Sequence, residues 1–99
     1  MWYTIISEDV KDSLLLRVDT RQAHLTRIQE LVATNRVLIA GPHPAIDSVE
    51  PGDEGFTGSL VVADFPSLVD ARAWANADPY VSAGVYASVT VKPFKLVLP

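Results

Sequence analysis

The sequence predicts an α+β domain with the split βαβ pattern: an antiparallel sheet with two helices on one face, in the element order βαββαβ. The chain has 99 residues, enough for one domain and too few for two. Apolar residues make up 48% of it and charged residues 20%, which is typical of globular proteins. Four β-rich segments surround two segments with helical periodicity. We therefore expect a single domain over residues 1–99.

The first third of the chain predicts a strand and then a helix. Residues 2–7 are largely β-branched or aromatic and indicate the first strand. Residues 8–19 place a leucine cluster between charges and indicate a short helical or loop segment. Thr20 is a candidate N-cap for a helix that runs to about Thr34, and Asn35 suits a left-handed position after its end.

Two further strands and a long connection follow. Residues 36–41 predict the second strand and residues 56–65 the third, with apolar side chains on both faces. Residues 42–55 between them are rich in proline and acidic residues and predict a loop.

The last third predicts a helix and an edge strand. Ser67 is a candidate N-cap, and we expect the helix to end at Asp78 because the next residue is a proline. Residues 85–92 alternate apolar and polar positions, as in a half-buried strand. Pro93 interrupts this pattern and favours an edge, a bulge or a separate short strand there.

The apolar strands also predict a partner. Strands one and three carry apolar residues on both faces, whereas two helices can cover only one face of the sheet. A large exposed apolar patch is unusual in a monomer, so the other face must line a cavity or pack against a second subunit. We expect a homodimer that packs through its sheets.

Composition excludes several classes of function. A net charge of −4 without a Lys/Arg cluster argues against nucleic-acid binding. The absence of cysteine removes disulfides, thiolate metal sites and thiol nucleophiles. No apolar run suggests a signal peptide or a membrane span, so a cytoplasmic protein is expected.

His24 is the first candidate for chemistry. At about 100° per residue it falls on the apolar stripe of the predicted helix. In the first turn of that helix, a neutral imidazole would be favoured, which is the form that acts as a general base or binds a metal. The alternative is a hydrogen-bonded core histidine. Arg21 lies three residues earlier on nearly the same face and could hold a substrate carboxylate, or could simply be solvated or ion-paired.

Asp78 and Tyr80 form the second candidate pair. A carboxylate at the end of the second helix could bind the far nitrogen of His24 and fix its tautomer, with Tyr80 nearby to exchange a proton. The alternative for Asp78 is an ordinary turn residue before a proline.

Two weaker signals lie in and after the long loop. His43, Asp47 and Glu50 could supply metal ligands, but no tight ligand motif is present, and we expect a surface histidine and no metal. The glycine-rich run that ends at Ser59 precedes a strand and lacks a P-loop lysine. We expect Ser59 to line a substrate pocket.

An ordered set of short motifs spans nearly the whole chain. The motifs are Arg21-x-Ala23-His24-Leu25, Ala40-Gly41-Pro42 followed by Asp47-Ser48, Gly55-Phe56-Thr57-Gly58-Ser59, Trp74-Ala75-x-Ala77-Asp78-Pro79-Tyr80, Ala83-Gly84-Val85-Tyr86 and Val91-Lys92-Pro93-Phe94-Lys95. This set resembles the YciI family. The resemblance implies a ferredoxin-like, dimeric α+β barrel with a His/Asp pair, here His24 and Asp78. Relatives with that pair include an enzyme that eliminates chloride from a chlorinated ring compound, which implies lyase-type proton abstraction.

Two functional hypotheses follow. The first is a cofactor-independent enzyme, of lyase or isomerase type, that acts on a small, ring-derived acid. In it His24 is the base, Asp78 orients it, and Arg21, Ser59 and Tyr80 bind substrate. The second is a non-catalytic dimeric module that binds a small ligand or a partner. It predicts that His24 bonds to a backbone carbonyl and that Asp78 faces water.

Overall fold

The computed structural model describes residues 1–99 and shows the predicted order of strands and helices, with two additional short helices. One is a single 3-10 turn at Gly52–Glu54 between the second and third strands, and the other is an α-helix before the last strand. The four strands form one antiparallel sheet in the order β2-β3-β1-β4, which confirms the ferredoxin-like α+β class. No helix is both long and apolar enough to cross a membrane. The elements are β1 (Trp2–Asp9), α1 (Leu14–Ala33), β2 (Val37–Pro44), β3 (Phe56–Asp64), α2 (Leu68–Asn76), α3 (Pro79–Ser82) and β4 (Tyr86–Phe94).

Helix α1 begins earlier than the sequence predicts. It starts at Leu14 after Asp12, which adopts a left-handed φ of 58°, and its first turn closes with the Arg17 amide donating to the Ser13 carbonyl at 2.9 Å. The interpretation of Thr20 as an N-cap was therefore wrong. His24 lies in the middle of a 20-residue helix, so the helix terminus does not bear on its protonation. Asn35 adopts the expected left-handed φ of 58°.

Both outer strands run through prolines, whereas the sequence predicts a loop at Pro42 and Pro44 and an edge, a bulge or a separate short strand at Pro93. β2 continues to Pro44, and β4 continues through Pro93 to Phe94. β2 and β4 are the two edge strands of the sheet, and each has a neighbouring strand on one side only. A proline has no amide N–H, and on the unpaired side of an edge strand no interstrand hydrogen bond is lost by its absence. The predicted loop is correspondingly shorter, and β4 continues through Pro93 as an edge strand, which is one of the three arrangements that the sequence favours there.

The predicted second helix is two helices. Ser67 caps α2, since its hydroxyl accepts from the Asp70 amide at 3.1 Å. α2 ends at Asn76, and Asp78 then caps the separate short helix α3, whose first residue is Pro79. The fixed φ of proline suits this first helical position. Asp78 therefore starts a helix instead of ending one.

One face of the sheet is packed against the helices and the other is open. Alternate residues such as Tyr3, Ile5 and Val61 pack on Ile28 of α1 and Ala71 of α2 to form the core. The intervening positions point away from the helices. On that open side the strand register brings together Trp2, Ile6, Ile39, Leu60, Val62 and Phe94.

Candidate active site

A cavity of about 350 Å³ lies between α1 and the β2–β3 half of the sheet. It has the size of a small-molecule site. Apolar side chains including Leu25, Ile28 and Val61 line part of its wall. Its polar lining consists of Arg17, Arg21, His24, Ser59 and Tyr80.

His24 and Asp78 are in direct contact. His24 Nδ1 lies 2.9 Å from both Oδ1 and Oδ2 of Asp78. The two residues are 8% and 4% exposed. An ionised carboxylate can only accept, so Nδ1 carries a proton and donates it, and in a neutral imidazole this tautomer leaves Nε2 as the nitrogen that can accept a proton. A binding module predicts that His24 bonds to a backbone carbonyl and that Asp78 faces water. The structure shows neither, since His24 bonds to Asp78 and Asp78 is buried.

The local fold holds Asp78 in place for this contact. As the cap of α3, its Oδ1 accepts from the Tyr80 amide at 2.8 Å. Because the donor is a backbone amide of α3, the Asp78 carboxylate is held by the helix itself and not by a flexible side chain. α3 packs beside the middle of α1, from which His24 projects inward. The Asp-Pro pair therefore carries the carboxylate to the histidine through helix capping.

Tyr80 orients the imidazole by stacking on it. The two rings are 4.0 Å apart and tilted by only 9°. The Tyr80 hydroxyl donates to the backbone carbonyl of Arg17 at 3.2 Å, and burial raises the pKa of this phenol above its usual value. Because the hydroxyl already donates to a backbone carbonyl, proton exchange by Tyr80 stays a prediction. Tyr86 packs edge-on against both rings, and burial raises its pKa to about 12.

Arg17 is a buried site residue that the sequence analysis missed. It donates to Asp9 through Nε at 2.6 Å and Nη2 at 2.9 Å, and Nη2 also reaches the Gly58 carbonyl and the Ser59 hydroxyl at 2.9 Å. Burial alone would lower the pKa of this guanidinium, but the Asp9 carboxylate outweighs that effect and raises it. The misplaced helix start hid this residue. With α1 beginning at Leu14, Arg17 lies two turns before His24 on the same face.

Aromatic rings enclose the Arg17 guanidinium. Its central carbon lies 5.4 Å from the ring centre of Phe56, 5.1 Å from Tyr80 and 5.9 Å from Tyr86. Such contacts stabilise a cation that is removed from water. From α1, Arg17 therefore contacts both the sheet and these three aromatic rings at the floor of the cavity.

Arg21 and Ser59 border the cavity in different ways. Arg21 is exposed and makes no hydrogen bond or ion pair within the chain, so its guanidinium can receive an anion. Ser59 is buried and its hydroxyl accepts from Arg17. Substrate binding by either residue stays a prediction.

His43 lies outside this arrangement. It stands on β2 next to Gly58, on the open side of the sheet, and does not line the His24 cavity. His43, Asp47 and Glu50 do not converge, and no group of three His, Asp or Glu side chains with metal-ligand geometry exists in the chain.

Comparisons with known proteins agree with this fold and give the chain a family. It is 58% identical to Protein YciI of Escherichia coli O6:H1 (strain CFT073) over 97 residues, covering 98% of this chain and 99% of that protein. It is 53% identical to a Haemophilus influenzae (strain KW20 / Rd) protein over the same length and coverage.

A solved structure of an enzyme has the same fold. It is the 5-chloro-2-hydroxyhydroquinone dehydrochlorinase (TftG) of Burkholderia phenoliruptrix AC1100 in complex with 2,5-dihydroxybenzoquinone. Its TM-score with this chain is 0.84 at 27% identity, over 96% of this chain and 94% of that one. The model of the YCII-related domain matches residues 1–95. The chain therefore belongs to the YCII-related domain family.

Proposed function

We propose that this protein is a cofactor-independent enzyme of lyase or isomerase type, which removes a proton from a small, ring-derived acid. The observation that carries the proposal is the His24–Asp78 contact at 2.9 Å beside a cavity of small-molecule size. Two findings on the similar enzyme support it, since that protein is a dehydrochlorinase and its structure holds a six-membered ring compound.

Each residue has a defined part in the proposed reaction. His24 Nε2 takes the proton from the substrate, and the electron pair left behind forms a double bond. In an elimination this pair expels a leaving group, whereas in an isomerisation the imidazolium returns the proton to another atom. Asp78 holds the Nδ1 proton and stabilises the imidazolium. Tyr80 keeps the ring plane fixed by stacking.

The substrate is placed by charge and shape. Arg21 is the unpaired cation of the cavity and would bind a carboxylate or phenolate oxygen. Apolar side chains such as Leu25 and Ile28 would contact the faces of a ring. Ser59 would meet an oxygen of the substrate at the cavity floor, where Arg17 holds its hydroxyl.

The open face of the sheet favours a homodimer as the working form. Ile39 is 53% exposed and Phe94 36% exposed on this face, which no helix covers. Burying apolar area of this kind stabilises association by about 25 cal/mol per Å² before its costs. Light scattering after size-exclusion chromatography tests this point, with a dimeric mass expected. A monomeric mass for the wild-type protein at tens of micromolar would exclude the sheet-packed dimer.

Proton abstraction can be tested by solvent exchange and by turnover. Hydroxylated and chlorinated ring compounds, beginning with 5-chloro-2-hydroxyhydroquinone, are incubated with the protein in D₂O. NMR then follows loss of the ring C–H signals, and chloride release is measured in parallel. For a compound that reacts, His24→Asn should lower the rate by about 10²–10⁴-fold.

His43→Asn is the matched control, since it makes the same substitution outside the cavity. It should leave the rate unchanged. Full exchange by a folded His24→Asn protein would overturn the proposed base. Tight binding of 2,5-dihydroxybenzoquinone by a wild-type protein that catalyses neither exchange nor elimination would favour a binding module.

A further inference from the structure

A third ionisable residue, Arg27, lies behind the His24–Asp78 pair and outside the cavity. Its Nη1 is 3.8 Å from Asp78 Oδ2, and Asp78 is the only carboxylate within 4 Å of it. We propose that Arg27 is a positioning residue, which acts through Asp78 to keep the His24 imidazole neutral and able to accept a proton. This inference rests on the proposed function, because it assigns a role in the same pair.

Trp74, and not Asp78, holds the Arg27 guanidinium. Nη2 donates to the Trp74 carbonyl at 2.8 Å, and the guanidinium carbon lies 4.6 Å from the centre of the Trp74 ring. Nη1 is buried and has no hydrogen-bond partner. Leaving a buried donor unpaired is costly. Because Trp74 of α2 holds the guanidinium, Nη1 stays 3.8 Å from Asp78 Oδ2. At this distance Arg27 acts on Asp78 by charge and donates no hydrogen bond to its oxygens.

The two oxygens of Asp78 show why this distance matters. Oδ1 accepts from the Tyr80 amide and from His24 Nδ1, while Oδ2 faces His24 Nδ1 and the Arg27 charge. A direct hydrogen bond from Arg27 would compete with His24 for Oδ2. At 3.8 Å, Arg27 stabilises the carboxylate and leaves both oxygens within reach of the imidazole.

The consequence for His24 is electrostatic. A carboxylate beside a histidine favours the imidazolium, which can no longer accept a proton. A nearby guanidinium opposes that effect, both by balancing the Asp78 charge and by repelling the imidazolium. Arg27 therefore lets Asp78 fix the tautomer of His24 without driving its protonation.

Other ionisable groups face the pair but differ from Arg27 in their situation. Arg17, from the same helix, is balanced by Asp9 of β1. Arg21 lies at the exposed mouth of the cavity. Tyr80 of α3 and Tyr86 of β4 stay neutral near pH 7, since burial raises the pKa of both. Arg27 is the cation whose charge is directed at Asp78 alone.

NMR titration of the side chains of His24 and His43 tests the proposal without a known substrate. Arg27→Gln removes the charge and retains a polar side chain with amide donors. We expect it to raise the titration midpoint of His24 by about 0.5 pH unit or more, with His43 unchanged as an internal reference. Arg27→Lys, which keeps a positive charge, should stay within about 0.2 unit of wild type. Arg72→Gln makes the same substitution at an exposed arginine of α2 and should shift neither histidine.

The outcomes separate this inference from the proposed function. An unchanged His24 midpoint in Arg27→Gln, or an equal shift in Arg27→Lys, would overturn the role of Arg27. Asp78→Asn should lower the midpoint, and if it does not, the His24–Asp78 pair itself fails as a functional unit. Should Arg27→Gln not fold, Arg27→Met offers a neutral, apolar side chain that still packs on Trp74, and the same criteria apply.

Discussion

Replacing Arg17 by Met should destabilise the fold far more than replacing Arg21, the other arginine that borders the cavity. Arg17 and Asp9 are 8% and 1% exposed at their side chains, so the ion pair is removed from water. In Arg17→Met, the Asp9 carboxylate keeps one partner, the Ser13 hydroxyl at 2.6 Å. The Gly58 carbonyl and the Ser59 hydroxyl lose a donor as well.

The expected cost follows from this geometry. Removing one member of a buried ion pair leaves an uncompensated charge and costs about 3–5 kcal/mol. Typical domains have a free energy of unfolding of about 5–15 kcal/mol, so the loss is a large part of the total. The double variant Asp9→Asn/Arg17→Met buries no charge and should be more stable than Arg17→Met alone by about 1–3 kcal/mol.

Urea denaturation followed by circular dichroism measures these differences at one fixed protein concentration. Arg21→Met is the matched control, since Arg21 is exposed and unpaired, and its effect should stay within about 0.5 kcal/mol. A loss below about 1 kcal/mol for Arg17→Met would refute the reasoning. So would a double variant whose destabilisation equals the sum of the two single ones.

Three further predictions concern stability, and denaturation measurements check each. Gly58→Ala would drive its Cβ into the Ser7 carbonyl oxygen and should cost about 1–3 kcal/mol or more, whereas Gly41→Ala meets no atom within 4 Å and should be tolerated. Ser67→Ala removes the α2 cap and should cost about 1 kcal/mol. Burial raises the pKa of Tyr86 to about 12 from 10. The contribution of the neutral phenol to the free energy of unfolding is therefore complete below pH 10 and is lost as the pH rises through 12. Tyr86→Phe should flatten this loss of stability.

Each of these has a contradicting result. A fully stable Gly58→Ala protein would mean that β1 and β3 can separate at this point without loss. An unchanged midpoint for Ser67→Ala would show that α2 does not depend on its cap. If Tyr86→Phe and wild type lose stability equally between pH 10 and 12, another group dominates that range.

Most of the fold was predictable because the strands and helices have strong local patterns. Alternation and β-branched residues identified four strands, and Asn35 marked the end of α1 by its tolerance of a left-handed backbone. The start of α1 was missed because threonine is a common cap, whereas Ser13 occupies that position and its hydroxyl bonds to Asp9 instead. Propensity does not reveal such competing tertiary bonds.

The site was predictable in part for a related reason. A histidine on an apolar stripe and an Asp-Pro pair are local signals, and the structure places them 2.9 Å apart. The roles of Arg17 and Arg27 depend on contacts across 41 and 47 residues of sequence, to Gly58 and Trp74. No local pattern distinguishes such arginines from solvated ones. The sequence also placed Tyr80 near His24, but only the structure shows its hydroxyl bonded to a backbone carbonyl.

The central claim is that His24 acts as a base supported by Asp78, and the rate of proton removal by Asp78→Asn protein tests it most directly. The assay is the solvent-exchange or elimination reaction on a ring compound that the wild-type protein turns over. We expect a folded Asp78→Asn protein to lose about 10²-fold in rate, because the amide can donate to Nδ1 and no longer stabilises the imidazolium. A rate equal to wild type would contradict the claim and leave the His24–Asp78 contact as part of the folded core alone.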